Sequence, residues 1–424
     1  MKKIHIATIL FAIATITQSG CIMPPRGVDW PEPRPLDDIT VHDIQVNQVG
    51  YFPARIKIAT LSSQQTNPVS WSLFRDGKKV QQGATTVFGT DADSGDHVHL
   101  IDFTSCNEEG DNYTLKADTA QSAPFSIRRN IYRSLSREAL RYFYLNRSGI
   151  PLEMPFTEDR RKERPAGHLS DATARCESGG RCDPSQKKDV SGGWYDAGDN
   201  GKYVVNGGIS VWLLMHAFEH LQLREKDAST PDLNIPESAN DVPDILDEAR
   251  WEMEWMLKMQ VQGGEEEGLV HHLVHNAQYT ALGHAPPTYD TEPPPRYIRD
   301  TATSATLNLA AAGALCSRVF RPFDAAFADR CLDAAKKAFD AAVRHPDLKA
   351  GGPGFIPYTD AEQTDDFFWA AAELFVTTGD ARYGDHLKRS KYYGNPSKNA
   401  GGSASTFNWQ QTDGMGAIAL RSEE

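Results

Sequence analysis

The alternation of hydrophobic and polar positions changes period near residue 130. Before that point, short β-branched or aromatic segments such as Asp43–Tyr51 and His97–Phe103 are separated by turns, among them Asp76-Gly77. The pattern predicts an all-β sandwich over residues 40–128, near the size of an immunoglobulin-like domain. No titratable cluster appears in this region, which favours a scaffold role over the alternative of carbohydrate binding.

After Ile131 the apolar positions recur at helical spacing. The segment Tyr132–Arg147 is amphipathic, and long Ala-rich segments follow at residues 301–320, 327–345 and 364–380. One face of a further helix carries Val242, Ile245, Ala249, Met253 and Met256. Residues 130–424 are therefore predicted to form an all-α domain in which helical hairpins stack around a common core.

The N-terminus has the layout of a secretory signal peptide. Two lysines precede a short apolar run and small residues, and the Ser19-Gly20-Cys21 ending is similar to a bacterial lipobox, in which the cysteine is acylated. The alternative is ordinary cleavage that leaves Cys21 free. We expect a signal over residues 1–20, a Pro-rich tether over 21–39, and an exported lipoprotein of the bacterial cell envelope, periplasm or exterior.

The charge balance restricts the partners. The chain has 44 Lys and Arg against 57 Asp and Glu, a net charge of −13. This balance disfavours nucleic acid and anionic membrane surfaces and suits a neutral substrate. We expect a monomer that meets a membrane only through its N-terminal lipid anchor.

Five cysteines remain once Cys21 is set aside. Cys176 and Cys182 flank the flexible sequence Glu-Ser-Gly-Gly-Arg, so a local disulfide is favoured over a metal site. Cys316 and Cys331 lie in apolar helical patterns, where small buried residues are expected.

The segment from Ser191 to Val205, SGGWYDAGDNGKYVV, carries the most distinctive chemistry. Its glycines make a helix unfavourable, so Asp196 and Asp199 are predicted to lie on a tight loop that leads into a helix near Tyr203. Paired carboxylates serve glycosidic hydrolysis, and Trp194 and Tyr195 could stack on sugar rings. Helix capping and calcium ligation are alternatives that spacing alone does not exclude.

Two long motifs carry a family resemblance. The segment VNQVGYFP, residues 46–53, resembles the start of the N-terminal domain of glycoside hydrolase family 9 cellulases, and DVSGGWYDAGDNGKYVVNGG, residues 189–208, resembles the catalytic-base motif of that family. The resemblance covers residues 43–421. It implies an immunoglobulin-like domain followed by an (α/α)6 toroid, and inverting hydrolysis of β-1,4-glucosidic bonds in cellulose or related glucans without a required cofactor.

The resemblance also assigns roles. Asp199 resembles the general base that activates water, and Asp196 resembles the residue that helps to hold that water. Inversion needs an acid across the bond, with the two carboxyls roughly 6.5–9.5 Å apart. In the family this acid is a glutamate in a C-terminal context that the chain lacks. We therefore expect an incomplete toroid with little activity and poor solubility.

Two rival functions remain open at this level. An exo-acting β-glucosidase or glucosaminidase of the same family would share the base motif. A catalytically inactive glycan-binding lipoprotein would also fit a chain without the acid.

Metal sites are less clearly indicated. Where many relatives bind structural zinc, this chain has Arg147-Ser148-Gly149 and Ala166-Gly167-His168, so two thiolate ligands are missing and zinc is not expected. Structural calcium, common in the family, is possible through carboxylates that the sequence does not identify.

Two further sets of residues have open roles. The spacing of His271, His272 and His275 would let them bind a metal from one helix face. A polar loop or a cleft lining is favoured. Trp369 could be a sugar platform or a core residue.

Overall fold

The computed structural model describes residues 42–224, 230–277, 295–394 and 407–421. The predicted signal peptide, the predicted acylation site Cys21 and the whole predicted tether lie outside these residues. The chain divides into two compact units, one ending at Arg137 and the other starting at Glu138. This division lies close to the change of hydrophobic period seen in the sequence.

The first unit is a sandwich of two antiparallel sheets, as the sequence predicted. One sheet has the strand order β1-β2-β6-β5, and the other has the order β4-β3-β7-β8 with β9 also paired to β7. The strands are β1 Ile44–Gln45, β2 Ile58–Ser62, β3 Ser70–Arg75, β4 Lys78–Ala84, β5 Thr86–Thr90, β6 His97–Asp102, β7 Gly110–Ala117, β8 Ala120–Gln121 and β9 Phe125–Ile127. The core joins both sheets, since Leu61 and Ile101 pack with Trp71, Leu73 and Leu115.

The second unit is dominated by helices. Eight α-helices lie in the described residues: α1 Arg133–Leu145 (which begins in the first unit), α2 Val204–Arg224, α3 Asp244–Met259, α4 Thr303–Phe320, α5 Ala325–Arg344, α6 Thr364–Thr378, α7 Ala381–Arg389 and α8 Asp413–Arg421. None of the helices in the described ranges combines the length and apolar character that a membrane span requires.

Alternate helices form an inner layer of the second unit. Helix α4 packs against α2 and α6, and α6 packs against α8, while α3, α5 and α7 each pack on the inner helix that precedes them. Alanines and a glycine allow close approach at α4, where a Cβ added to Gly313 would lie 2.9 Å from the Cys331 carbonyl oxygen. The arrangement is that of stacked helical hairpins, as the sequence predicted.

The long connections converge at the N-terminal ends of the inner helices. A small five-stranded sheet joins the connection before α2 with the connection before α4, in the order β11-β10-β15-β14-β12. Its strands, with the separate pair β13 and β16, are β10 Ala174–Cys176, β11 Lys187–Lys188, β12 Lys202–Tyr203, β13 Val270–His271, β14 Leu273–Asn276, β15 Arg296–Ile298 and β16 Thr301–Ala302. Hydrophobic periodicity did not predict this sheet, because strands of two to four residues are too short to show a period.

Candidate active site

Asp196 and Asp199 lie on a tight loop immediately before α2, as predicted from the glycine pattern. The Asp196 N–H donates to the Gly201 carbonyl at 2.9 Å, and the Gly201 N–H donates to Asp199 Oδ1 at 2.9 Å. Asn200 adopts a left-handed conformation with φ of 58°. Gly193 has φ of 75°, and a Cβ there would lie 2.7 Å from the Trp255 ring. The loop therefore needs the glycine for both its conformation and its packing.

Both carboxylates are partly exposed and are held by neutral donors. The Tyr203 hydroxyl donates to Asp199 Oδ2 at 2.6 Å. Asn206 Nδ2 donates to Asp196 Oδ1 at 2.7 Å, and the Tyr358 hydroxyl donates to Asp196 Oδ2 at 2.9 Å. Burial raises the pKa of Asp196, as does the charge of Asp199, while the bonds from Asn206 and Tyr358 lower it. Such a pair can orient a water molecule and accept its proton.

A network of buried charged residues holds the backbone next to this loop. Asp171 is 1% exposed and lies 2.7 Å from Lys202 Nζ and 2.8 Å from Arg296 Nε. Lys202 Nζ also donates to the Val190 and Gly192 carbonyls, each at 2.7 Å. The network thus fixes the segment that leads into the aspartate loop.

The sequence did not reveal Tyr358, which lies about 160 residues after Asp196 in the chain. It has a left-handed φ of 56° on the connection between α5 and α6. Its ring packs edge-to-face on Tyr203 and on Trp409, with centroids 4.9 and 5.3 Å apart. Trp409 is partly exposed, so it is better placed to meet a sugar ring than the tryptophans that the sequence singled out.

The predicted stacking role of three aromatic residues is not supported. Trp369 is 0% exposed and belongs to the helical core, so its prediction as a sugar platform is wrong and core packing is correct. Trp194 is 7% exposed, with its ring 4.6 Å from that of Phe143, and Tyr195 is 4% exposed. Their rings pack inward because the loop turns its apolar side towards the core.

The three histidines lie in β13, β14 and the residue between them, and all are buried, so the helix face is wrong. The alternative of a cleft lining fits His271, which lines a pocket together with Lys188 and Gln260. The His271 ring nitrogen Nδ1 is 2.9 Å from the Arg299 carbonyl, and His272 Nε2 is 2.9 Å from the Pro357 carbonyl. His275 Nε2 is 3.1 Å from Glu177. Burial lowers the pKa of His271 to about 4, so this ring is neutral, and its hydrogen bond lies within the connection before α4. His272 joins that connection to the one before α6.

The segments that match the family's zinc motif meet in space. The Gly149 N–H donates to the Gly167 carbonyl at 3.1 Å, and His168 Nδ1 is hydrogen-bonded to the Tyr195 hydroxyl at 2.6 Å. Ser148 is buried where a thiolate would stand. A serine, a glycine and one histidine do not form a zinc donor set.

Cysteine pairing follows the sequence expectation. Cys176 and Cys182 form a disulfide with Cα atoms 5.6 Å apart, in the connection that leads to the aspartate loop. Cys316 and Cys331 are both fully buried on α4 and α5.

A second group of carboxylates, which the sequence analysis did not identify, lies beside the site. Asp360, Asp365 and Asp366 bring one oxygen each to within 4.8 Å of one another, and all three are buried. Asp360 belongs to the same connection as Tyr358, and Asp365 and Asp366 belong to the first turn of α6. Asp360 Oδ2, Asp365 Oδ1 and Asp366 Oδ2 have no hydrogen-bond partner in the described part of the chain.

Comparison with known proteins agrees with this architecture. Residues 132–423 match the model of glycosyl hydrolase family 9, and residues 40–122 match that of the cellulase N-terminal ig-like domain. The chain is 42% identical to a cellulose 1,4-beta-cellobiosidase of Acetivibrio thermocellus, over 89% of this chain and 46% of the relative. It is 38% identical to endoglucanase C of Cellulomonas fimi, over 97% of this chain and 37% of the relative.

A solved structure shows the same fold. A Bacteroides ovatus GH9 protein superposes with a TM-score of 0.76 at 29% identity, covering 89% of this chain and 68% of that one. The chain spans about half, or less, of the length of the two relatives named above. The family match nevertheless extends over most of the second unit and includes the aspartate loop. The chain therefore belongs to glycosyl hydrolase family 9.

Proposed function

We propose that this protein is a glycoside hydrolase that cleaves β-1,4-glucosidic bonds in cellulose, related glucans or their oligosaccharides with inversion at the anomeric carbon. The observation that carries the proposal is the pair Asp196 and Asp199, both partly exposed and both fixed by hydrogen bonds from neutral groups. The names of the two relatives, a cellobiosidase and an endoglucanase, support a β-1,4-glucan as substrate.

The roles of the two aspartates follow from their surroundings. Asp199, which accepts from Tyr203 and from the Gly201 N–H, takes the proton of the attacking water. Asp196, held by Asn206 and Tyr358, orients that water. Both carboxylates act where the water attacks the anomeric carbon. A different group must therefore protonate the leaving oxygen on the opposite side. We also propose export, with acylation at Cys21, and action as a monomer.

Hydrolysis of β-cellobiosyl fluoride tests the proposal without depending on that acid. Fluoride is a good leaving group that needs no protonation, so the rate reports water activation alone. We expect fluoride release, followed with an ion-selective electrode, and α-cellobiose as the first product by proton NMR. Release of β-cellobiose would contradict inversion, and the absence of any release above the spontaneous rate would contradict the proposed activity.

The carboxylates Asp360, Asp365 and Asp366 fit a hard cation. Calcium prefers carboxylate and carbonyl oxygens, and each of the three presents a buried oxygen that lacks a partner among the described residues. Burial raises the pKa of Asp365 to about 6 and that of Asp366 well above its usual value. We propose that Ca²⁺ binds here and supplies positive charge in direct contact with the three groups. Lys349 lowers the pKa of Asp360 and Asp366 but forms no ion pair with them in the described residues.

Calcium should stabilise the fold through this cluster. At a Ca²⁺ concentration of 100 Kd, linkage adds about 2.7 kcal/mol to the free energy of unfolding. The midpoint temperature of thermal unfolding, followed by circular dichroism, should rise when Ca²⁺ is added and return to its original value when EGTA removes the ion. The response should weaken below about pH 6, because protonation of Asp365 competes with the ion.

The variant Asp366→Asn should lose this response, while Asp333→Asn, an exposed aspartate on α5, should keep it. An unfolding temperature that does not respond to millimolar Ca²⁺ at pH 7 would rule out the site.

A further inference from the structure

Glu252 is a buried glutamate of α3 that touches both the aspartate loop and α2. It is 1% exposed, and its Oε2 accepts from the Trp194 backbone N–H at 2.7 Å. Its Oε1 faces α2 at Gly207, where an added Cβ would lie 2.2 Å from that oxygen. The carboxyl group is therefore wedged between the loop backbone and the first turn of the helix that follows the loop.

The same carboxyl lines a small cavity that Asp196 also lines. The cavity has a volume of about 80 Å³, and its walls include Glu252, Asp196, Asn206 and Ser210. Asn206 Nδ2 donates to Asp196 Oδ1, whereas Asn206 Oδ1 is buried and has no hydrogen-bond partner within the described residues. Aromatic rings form much of its wall, but the polar groups of Glu252, Asp196, Asn206 and Ser210 also line it, and it is large enough for water. Asn206 Oδ1 thus requires a donor from this cavity.

The charged groups around Glu252 leave it without a counterion. Lys202 on β12 is the cation that faces it, but Lys202 Nζ is already in contact with Asp171 and two carbonyl oxygens. Asp196 faces it from the loop with a charge of the same sign. One turn earlier on α3, Glu248 differs in having a contacting cation, Arg147 at 2.6 Å; burial still raises the pKa of Glu248 to about 7, while Arg147 lowers it. No ion pair involves Glu252 in the part of the chain that the structure describes.

A buried carboxyl group without a contacting cation favours its neutral form. Burial raises the pKa of Glu252 to about 8, and the charge of Asp196 adds to this, while the Trp194 N–H and Lys202 lower it. At neutral pH Glu252 therefore retains a proton, and a protonated carboxyl group is a hydrogen-bond donor.

We propose that Glu252 is a positioning residue for Asp196: as a neutral carboxylic acid it fixes the Trp194 backbone with one oxygen. The second oxygen of Glu252 carries the proton and donates a hydrogen bond to a water molecule in the shared cavity. That water donates to Asn206 Oδ1, and Asn206 Nδ2 in turn donates to Asp196. The chain of contacts thus links a residue of α3 to the carboxylate that orients the attacking water. The functional meaning of this link rests on the proposed hydrolysis, whereas the link itself is tested without turnover.

Carboxyl NMR tests the link directly. In protein labelled with ¹³C at the side-chain carboxyls of Asp and Glu, Glu252→Gln and Asp196→Asn identify the two resonances. We expect the Glu252 carboxyl to titrate near pH 8. The Asp196 resonance should show a second inflection in the same pH interval, because ionisation of Glu252 breaks the donor chain and adds a like charge.

The matched control is Glu248→Gln, the same substitution one turn away on the same helix. The second inflection in the titration curve of the Asp196 resonance should disappear in Glu252→Gln and persist in Glu248→Gln. A Glu252 carboxyl that titrates near pH 4, or an Asp196 titration that is identical in wild type and Glu252→Gln, would overturn the proposal.

Turnover of β-cellobiosyl fluoride gives a second readout. Glu252→Gln keeps an acceptor and a donor, so kcat near pH 7 should stay within about threefold of wild type. The alkaline decline near pH 8 should become smaller, and the part that remains belongs to Lys202, whose pKa is also about 8. Glu252→Leu keeps the volume but neither hydrogen bond, and kcat should fall by about 10-fold or more with a smaller change in KM. An alkaline decline unchanged in Glu252→Gln would contradict the proposal. If wild type shows no turnover, the proposed function fails and the NMR titration still decides the link.

Discussion

Replacing Asp199 with asparagine should lower kcat for β-cellobiosyl fluoride by about 10²–10⁴-fold, the usual contribution of general-base catalysis. The amide retains the size of the side chain, and its oxygen can still accept from the Gly201 N–H or the Tyr203 hydroxyl. What it loses is the ability to take a proton from water. Binding of cellobiose, measured by isothermal titration calorimetry, should therefore change by less than about threefold.

Two companion variants make the Asp199 experiment specific. Asp189→Asn removes an exposed carboxylate ten residues earlier, paired with Lys258 at 3.3 Å, and should leave turnover unchanged. Asp196→Asn should have a smaller effect on kcat than Asp199→Asn, since in the proposed mechanism Asp196 orients the water without taking its proton. Wild-type turnover in Asp199→Asn would show that the base is elsewhere, and a larger loss in Asp196→Asn would reverse the two roles.

The aspartate loop could be predicted because its determinants are local. Glycines and the helix that starts at Val204 lie within a dozen residues of Asp196 and Asp199, and backbone conformation there follows from residue type. Tyr358 could not be found in this way. Its contact with Asp196 depends on how the connection before α6 folds back over the loop, which no local pattern encodes.

The direction and burial of a side chain could not be predicted from the sequence. The sequence allows Trp194 to stack on a sugar and leaves Trp369 open between a sugar platform and a core residue, because it does not show which way a ring points. Glu252 was not singled out from the sequence, because on an amphipathic helix a glutamate is expected at the solvent face. Here α3 is covered by the aspartate loop as well as by α2, so its polar stripe is buried and supplies hydrogen bonds to the site.

The buried network under the loop should control stability more strongly than any surface charge. Asp171 is the acceptor shared by Lys202 and Arg296, and these contacts hold its pKa at about 2. Burial lowers the pKa of Lys202 to about 8, so Lys202 is still charged at pH 7. Arg296 also donates to the Asn200 carbonyl, next to Asp199. Loss of the anion would leave two cations close together without solvent or counterion.

Asp171→Asn is therefore expected to lower the free energy of unfolding by about 3–5 kcal/mol at pH 7, measured by urea denaturation, because removing one partner leaves buried charge uncompensated. Since the folded-state pKa of Asp171 is depressed, its contribution is complete above the unfolded value of 3.8 and is lost as pH falls towards 2. The difference between variant and wild type should shrink there, and again above pH 8, where Lys202 can lose its proton. Asp159→Asn provides the control, because its pKa is also held at about 2 but by an exposed arginine, and its unfolding midpoint should not move. Equal unfolding midpoints for Asp171→Asn and wild type at pH 7 would mean that Lys202 and Arg296 are compensated by other groups, and that the loop does not depend on this carboxylate.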